Sequence, residues 1–219
     1  MYALSARLLA LSALFLSAVA SPIADAQTNP PQPDHPPWDQ VYIKSVNYAG
    51  TGCPAGSVAG TLASDGSFIN VAFDKYTAQI KGTTSNPGDT RKNCQLTFVL
   101  QYPPGWSVTV FDASYYGYVK LDKKVTATQQ STYRWGGQSP TASFYSTWTG
   151  AVDKDYTFTD SLVTAAYVWS SCKGVPGSLI VNTSIKVENS KNPNGNGLIT
   201  TDAIEGVVTH KYGCQWKRC

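Results

Sequence analysis

From residue 178 to residue 188 the chain alternates its side chains with a period of two. Leu179, Val181, Thr183, Ile185 and Val187 fall on one side, and Ser178, Asn182, Ser184, Lys186 and Glu188 on the other. Successive side chains of a strand point to opposite faces, so this pattern describes a strand with one apolar and one wet face. Runs of the same kind, rich in β-branched and aromatic residues, occur at Val41–Tyr48, Phe68–Phe73, Gln95–Tyr102, Ser107–Phe111, Tyr115–Leu121, Ser143–Thr149, Tyr156–Thr159 and Gly206–Tyr212. Turn formers separate them: Ser64-Asp65-Gly66, Asn86-Pro87-Gly88-Asp89, Pro103-Pro104-Gly105, Gly136-Gly137, Val175-Pro176-Gly177 and a flexible hairpin over Asn192–Gly197. No stripe of helical period follows residue 20, which removes the crossover helices a parallel sheet needs. The chain is therefore expected to be all-β, a single-domain antiparallel β-sandwich of jelly-roll type, with a closed barrel as the alternative. The absence of any fixed-period repeat disfavours a propeller or solenoid.

The 219 residues are 42% hydrophobic and 14% charged, with 18 Gly, 13 Tyr and 6 Trp. A chain of this size buries roughly 70% of its unfolded surface, enough for a self-sufficient core and an expected monomer. The same figures exclude a disordered tail protein, a coiled coil and collagen. The first twenty residues are set apart from the rest: Arg7, the apolar run Leu8–Ala20 and the small-x-small end Ala18-Val19-Ala20 make a secretory signal peptide over residues 1–20. Ala24-Asp25-Ala26 is a second possible cut. A linker over residues 21–37 follows, with five prolines between Asn29 and Pro37, and the sandwich is expected over residues 38–219. The apolar run is too short to span a bilayer, and the C-terminus carries no lipid-anchor signal. A secreted, extracellular protein without stable membrane insertion is expected. Removing residues 1–20 takes away Arg7 and no acid, leaving 16 basic against 14 acidic residues, too even a balance for a nucleic-acid partner.

Little in the sequence supports catalysis. The histidines are His35, in the linker, and His210, in a strand pattern, with no GxSxG elbow and no HExxH or paired-histidine spacing. No metal and no other cofactor is expected, and no catalytic residue is assigned. Two carboxylates would suffice for a glycosidase; the candidates are Asp74, Asp112, the group Asp153, Asp155 and Asp160, and Asp202 with Glu205. Cys53, Cys94, Cys172, Cys214 and Cys219 lack CxxC spacing, so disulfides are the expected use in an oxidising compartment, in any of fifteen arrangements. The glycine-rich stretch Gly50–Gly56 reads as a tight turn held by Cys53, and Asn182-Thr183-Ser184, with Asn182 on the wet face of its strand, as an N-glycosylation site.

Aromatic residues are in excess. Phe98, Phe144, Trp148, Phe158 and Trp169 fit a core, whereas Trp106, Tyr115, Tyr116, Tyr133 and Trp135 stand beside turn formers. Rings exposed at a sandwich edge stack on sugars or anchor a protein partner, which makes Trp106, Tyr115, Tyr133 and Trp135 the candidate ligand-binding residues.

Several ordered motifs, Gly52-Cys53-Pro54, Phe73-Asp74-Lys75-Tyr76, Arg91 to Leu96, Tyr116-Gly117-Tyr118, Trp169-Ser170-Ser171-Cys172 and Gln215 to Cys219, resemble the secreted fungal and bacterial family catalogued as domain of unknown function 4360. The resemblance runs from about Val41 to Cys219. It implies a fungal secreted protein whose family cysteines are Cys53, Cys94, Cys172 and Cys219; taken in order they pair Cys53 with Cys94 and Cys172 with Cys219, leaving Cys214 as the odd thiol. The family carries no established activity. Within it, Arg91 and Asp74 are either functional or paired with each other. The leading functional expectation is a non-catalytic extracellular binding module for cell-wall glycan or a cell-surface protein. A glycan-active hydrolase with paired carboxylates, or a purely structural wall or matrix protein, is the alternative.

Overall fold

Alternating apolar residues bury one face of each strand, and two such faces packed together exclude water from both. In the computed structural model, which describes residues 34–139, 141–174, 176–201 and 210–219, this is the architecture adopted. The expected signal peptide, the linker up to residue 33, Asp202 and Glu205 lie outside the described residues. Among the described residues there are twelve strands: β1 Tyr42–Ala49, β2 Val58–Leu62, β3 Phe68–Phe73, β4 Thr77–Lys81, β5 Arg91–Gln101, β6 Trp106–Leu121, β7 Thr126–Trp135, β8 Ala142–Thr149, β9 Val152–Ser161, β10 Gly177–Glu188, β11 Asn196–Thr200 and β12 His210–Arg218. The one α-helical turn, α1 Pro87–Thr90, is capped by Asn86, whose Oδ1 accepts from Gly88 N at 3.0 Å. Among these residues no helix is long and apolar enough to cross a membrane.

One sheet has the order β1-β5-β10-β7-β8 and the other β2-β3-β12-β6-β11-β4, with β9 on the free side of β6; every pairing is antiparallel. The molecule is an antiparallel β-sandwich. Its core takes Leu96, Phe98 and Leu100 from β5, Leu179, Val181 and Ile185 from β10, and Ile69, Val71 and Phe73 from β3.

Two details of connectivity differ from expectation. The two strands expected at Ser107–Phe111 and Tyr115–Leu121 are one strand, β6, continuous through a bulge: Gly213 of β12 faces Asp112 while Cys214 faces Val110, leaving Phe111 as the extra residue. The turn over Asn192–Gly197 is not a hairpin between neighbours. It carries the chain from β10 in one sheet to β11 in the other, and Asn196 and Gly197 already belong to β11. Asn189 Nδ2 holds this crossing by donating to the carbonyls of Gly82, Pro193 and Gly195 at 2.9 to 3.1 Å.

Candidate functional site

The four aromatic residues expected to meet a ligand lie in the core. Trp106 is 5% exposed, Tyr115 1%, and Tyr133 and Trp135 2% each. Strand parity decides this, not the neighbouring turn residues: Tyr133 and Trp135 share a face with buried Ala127, Gln129 and Ser131, and Tyr115 with buried Ala113 and Val119. The polar atoms of Tyr133 and Trp135 are turned inward too, and the Trp106 ring is covered. Trp135 Nε1 donates to the Val168 carbonyl at 3.0 Å, the Tyr133 hydroxyl donates to the Val110 carbonyl, and the Arg218 guanidinium lies 4.7 Å over the Trp106 ring. The expectation that these rings are exposed is thereby corrected.

Tyr115 belongs to an aromatic cage around His210. Phe73 and Tyr115 each place a ring centroid 4.9 Å from the imidazole, which is fully buried. The Gln129 amide bridges His210 Nε2, at 3.0 Å, and the Tyr156 hydroxyl, at 3.2 Å, while His210 Nδ1 meets the Tyr212 hydroxyl at 3.0 Å. Burial disfavours the charged imidazolium and holds the His210 pKa at about 3, so the ring is neutral. His210 thus serves packing and core hydrogen bonding, and among the described residues no serine, threonine or cysteine side chain hydrogen-bonds to it.

Of the candidate carboxylates described, Asp74, Asp112 and Asp153 stand on different elements, while Asp153 and Asp155 are neighbours on one face of β9. Asp74 is exposed, and no ion pair joins it to Arg91 among the described residues. Asp112 accepts from Gly213 N at 2.9 Å, and its pKa is raised by burial. Asp153 binds Lys120 at 2.8 Å and the Tyr118 hydroxyl on the outer side of β6 and β9. Among the described residues no group of three His, Cys, Asp or Glu is placed to hold a metal ion.

The structure joins Cys53 to Cys94 and Cys172 to Cys219, and leaves Cys214 as a buried free thiol whose pKa burial pushes up to about 12. The first bridge shapes a surface. Cys53 and Cys94 tie the Gly50–Gly56 loop to β5, with Gly52 N donating to the Asn93 carbonyl at 2.9 Å. Gly50 approaches so closely that a Cβ there would sit 2.1 Å from the Asn93 carbonyl oxygen, so a side chain is excluded. Thr51 Oγ1 donates to Asn93 Oδ1 at 2.9 Å and accepts from Asn93 N at 3.2 Å. The loop therefore stands as a wall above the outward face of the five-stranded sheet.

Between this wall and α1 lies a hollow of about 550 Å³ lined by Thr51, Gly88, Arg91, Asn93, Cys94, Gln130, Thr132, Asn182, Thr183 and Ser184. Its floor follows from register. Asn182 of β10 faces Gln95 of β5 and Thr132 of β7, and Ser184 faces Asn93 and Gln130. Gln130 in turn faces Tyr145 of the edge strand β8, so Asn93, Ser184, Gln130 and Tyr145 form one row across the outer face. Tyr145 is 57% exposed, the largest exposure among the aromatic residues described. The side chains of Gln130, Thr132, Asn182 and Ser184 make no hydrogen bond among the described residues, and Arg91 makes no ion pair there. The hollow therefore offers uncommitted amides, hydroxyls and one guanidinium, and its lining contains no carboxylate. Sequence reasoning found the wet face of β10 but not this row, because the row exists only once three strands are set in register.

Comparison with known proteins places the chain among secreted relatives. An uncharacterized secreted protein of Arthroderma benhamiae is 39% identical over 184 residues, covering 84% of this chain and 74% of the relative. With the two disulfides, which suit an oxidising compartment, this marks the protein as secreted. Among solved structures, TmCBM61 in complex with beta-1,4-galactotriose aligns over 84% of this chain and 95% of its own, at 12% identity and a TM-score of 0.27, too low to bear on fold or ligand. The family model described as domain of unknown function (DUF4360) matches residues 39–219, and the chain belongs to that family.

Proposed function

We propose that this secreted sandwich is a non-catalytic binding module that takes a cell-wall glycan in the hollow on the outward face of its five-stranded sheet. The observation that carries the reading is the lining: uncommitted amide and hydroxyl side chains and the Arg91 guanidinium around about 550 Å³, with Tyr145 exposed in the same cross-strand row. A saccharide is dense in hydroxyls that both donate and accept, which such side chains match. Its ring faces carry C–H groups that pack on a flat aromatic. The volume is within the range of roughly 300–1,000 Å³ common to small-ligand sites.

The alternatives fit the hollow less well. A glycosidase needs two carboxylates roughly 5–10 Å apart about the scissile bond, and this lining contributes none. A protein partner is held chiefly by apolar anchors buried at the interface centre, whereas the floor here is polar. The test is retention on insoluble chitin, β-glucan and cellulose. The unsubstituted chain, produced without N-glycosylation, should be retained by at least one of them. Tyr145→Ala and the pair Asn93→Ala with Gln130→Ala should each lower retention about tenfold, which corresponds to about 1.4 kcal/mol. Retention by none, or retention that neither variant changes, contradicts the reading.

A further inference from the structure

Asn182-Thr183-Ser184 is an N-glycosylation sequon, and β10 places it in an unusual position. Sequons serve surface loops as a rule, but Asn182 stands mid-strand, with Gln95 on one side of it and Thr132 on the other, on the floor of the hollow. Its side chain is exposed and makes no hydrogen bond among the described residues, so Nδ2 is open to carry a sugar. We propose that Asn182 bears an N-linked glycan whose inner sugars lie in the hollow of the same chain. This deepens the reading above, because it names what governs access to that same surface.

The geometry supports an occupant rather than a glycan that only projects into solvent. A sugar attached at Nδ2 starts inside the hollow, between the stapled loop carrying Thr51 and the turn at α1. The core of an N-glycan is two N-acetylglucosamine units, whose acetamido groups and hydroxyls need donors and acceptors. Ser184, Gln130, Thr132 and Arg91 present them uncommitted on the same floor. Attachment removes most of the translational and rotational cost of association, so even modest contacts suffice to hold the sugars down. A second saccharide would then have to displace a tethered one, and the unglycosylated chain is the form open to polysaccharide.

The test uses the full chain secreted from a eukaryotic host. Peptide mapping should find Asn182 glycosylated. An endoglycosidase that cuts between the two core N-acetylglucosamines should release the glycan from native protein at least tenfold more slowly than from the reduced, unfolded chain. Arg91→Ala combined with Gln130→Ala, checked for unchanged circular dichroism, should restore most of the unfolded rate. An unmodified Asn182, equal release from native and unfolded protein, or slow release that the double variant leaves unchanged overturns the proposal. Polysaccharide retention of glycosylated and unglycosylated protein separates the two ideas. Stronger retention of the unglycosylated form supports both, whereas a protected glycan with no retention of either form upholds the bed for the Asn182 glycan and rejects the polysaccharide reading.

Discussion

At the scale of single residues, the aromatic excess divides into rings that build the core and others that face outward, among them Tyr42 on β1 and Tyr145 on the polar row. Trp135→Ala empties a fully packed site and removes one of the two donors to the Val168 carbonyl, leaving the Thr109 hydroxyl as the other. It is expected to cost about 3–5 kcal/mol, read as a fall in the urea midpoint, whereas Tyr145→Ala should leave that midpoint unchanged. His210 gives the fold a pH dependence. Its pKa is about 3 in the fold against 6.5 in a free side chain, so the unfolded chain takes the proton first as pH falls. Stability should be full above pH 6.5 and decline steadily toward pH 3. Asp112 works in the opposite sense at the acid end, since burial raises its carboxyl and makes the folded form the better proton acceptor there. His210→Gln should flatten the loss between pH 6.5 and 4.5; denaturant midpoints falling with pH to the same extent in both proteins would contradict this. The family resemblance implies Cys214 as the odd thiol but does not reveal that it is buried. With its pKa pushed up to about 12, it should resist alkylation in native protein and react once the chain is unfolded, as peptide mapping would report.

At the scale of elements, the sequence is readable where hydropathy and strand parity agree. Leu179 to Val187 alternate in hydropathy apart from outward Ile180, and the five inward residues Leu179, Val181, Thr183, Ile185 and Val187 are buried. Where the core itself is polar the signal fails: β7 turns Gln129 and Ser131 inward beside Ala127, so its alternation is invisible to hydropathy although its geometry is regular. β4 is five residues long, and β11 begins on Asn196-Gly197, which reads as turn. The bulge at Phe111 hides the continuity of β6, since one extra residue reverses the parity on which a strand is recognised. The two disulfides close separations of 41 and 47 residues, and chain-entropy reasoning gives each about 4 kcal/mol. Their effects on function should differ. Cys53→Ser with Cys94→Ser releases the wall that carries Thr51 and should weaken glycan retention beyond its loss in thermal midpoint. Cys172→Ser with Cys219→Ser, remote from the hollow's lining, should lower the midpoint similarly and leave retention intact at temperatures where the protein is folded. Equal loss of retention in both pairs would count against the hollow as the site.

At the scale of the whole molecule, period-two patterning identified a sandwich, because it is a local property, and the order of the four cysteines that the family resemblance singled out anticipated the pairing in the structure. The proposed binding face was not legible. It is assembled by register among β5, β10, β7 and β8, and turn-adjacent position does not tell which way a ring points. A family without assigned activity adds no residue roles, so the site stands on geometry alone. The most direct test maps the amide resonances of the unglycosylated protein while soluble fragments of chitin and β-glucan are titrated in. The account predicts saturable shifts concentrated at Arg91 to Gln95, Gln130 to Thr132, Asn182 to Ser184 and Tyr145. Shifts confined to the opposite sheet, or none with any fragment, would contradict it.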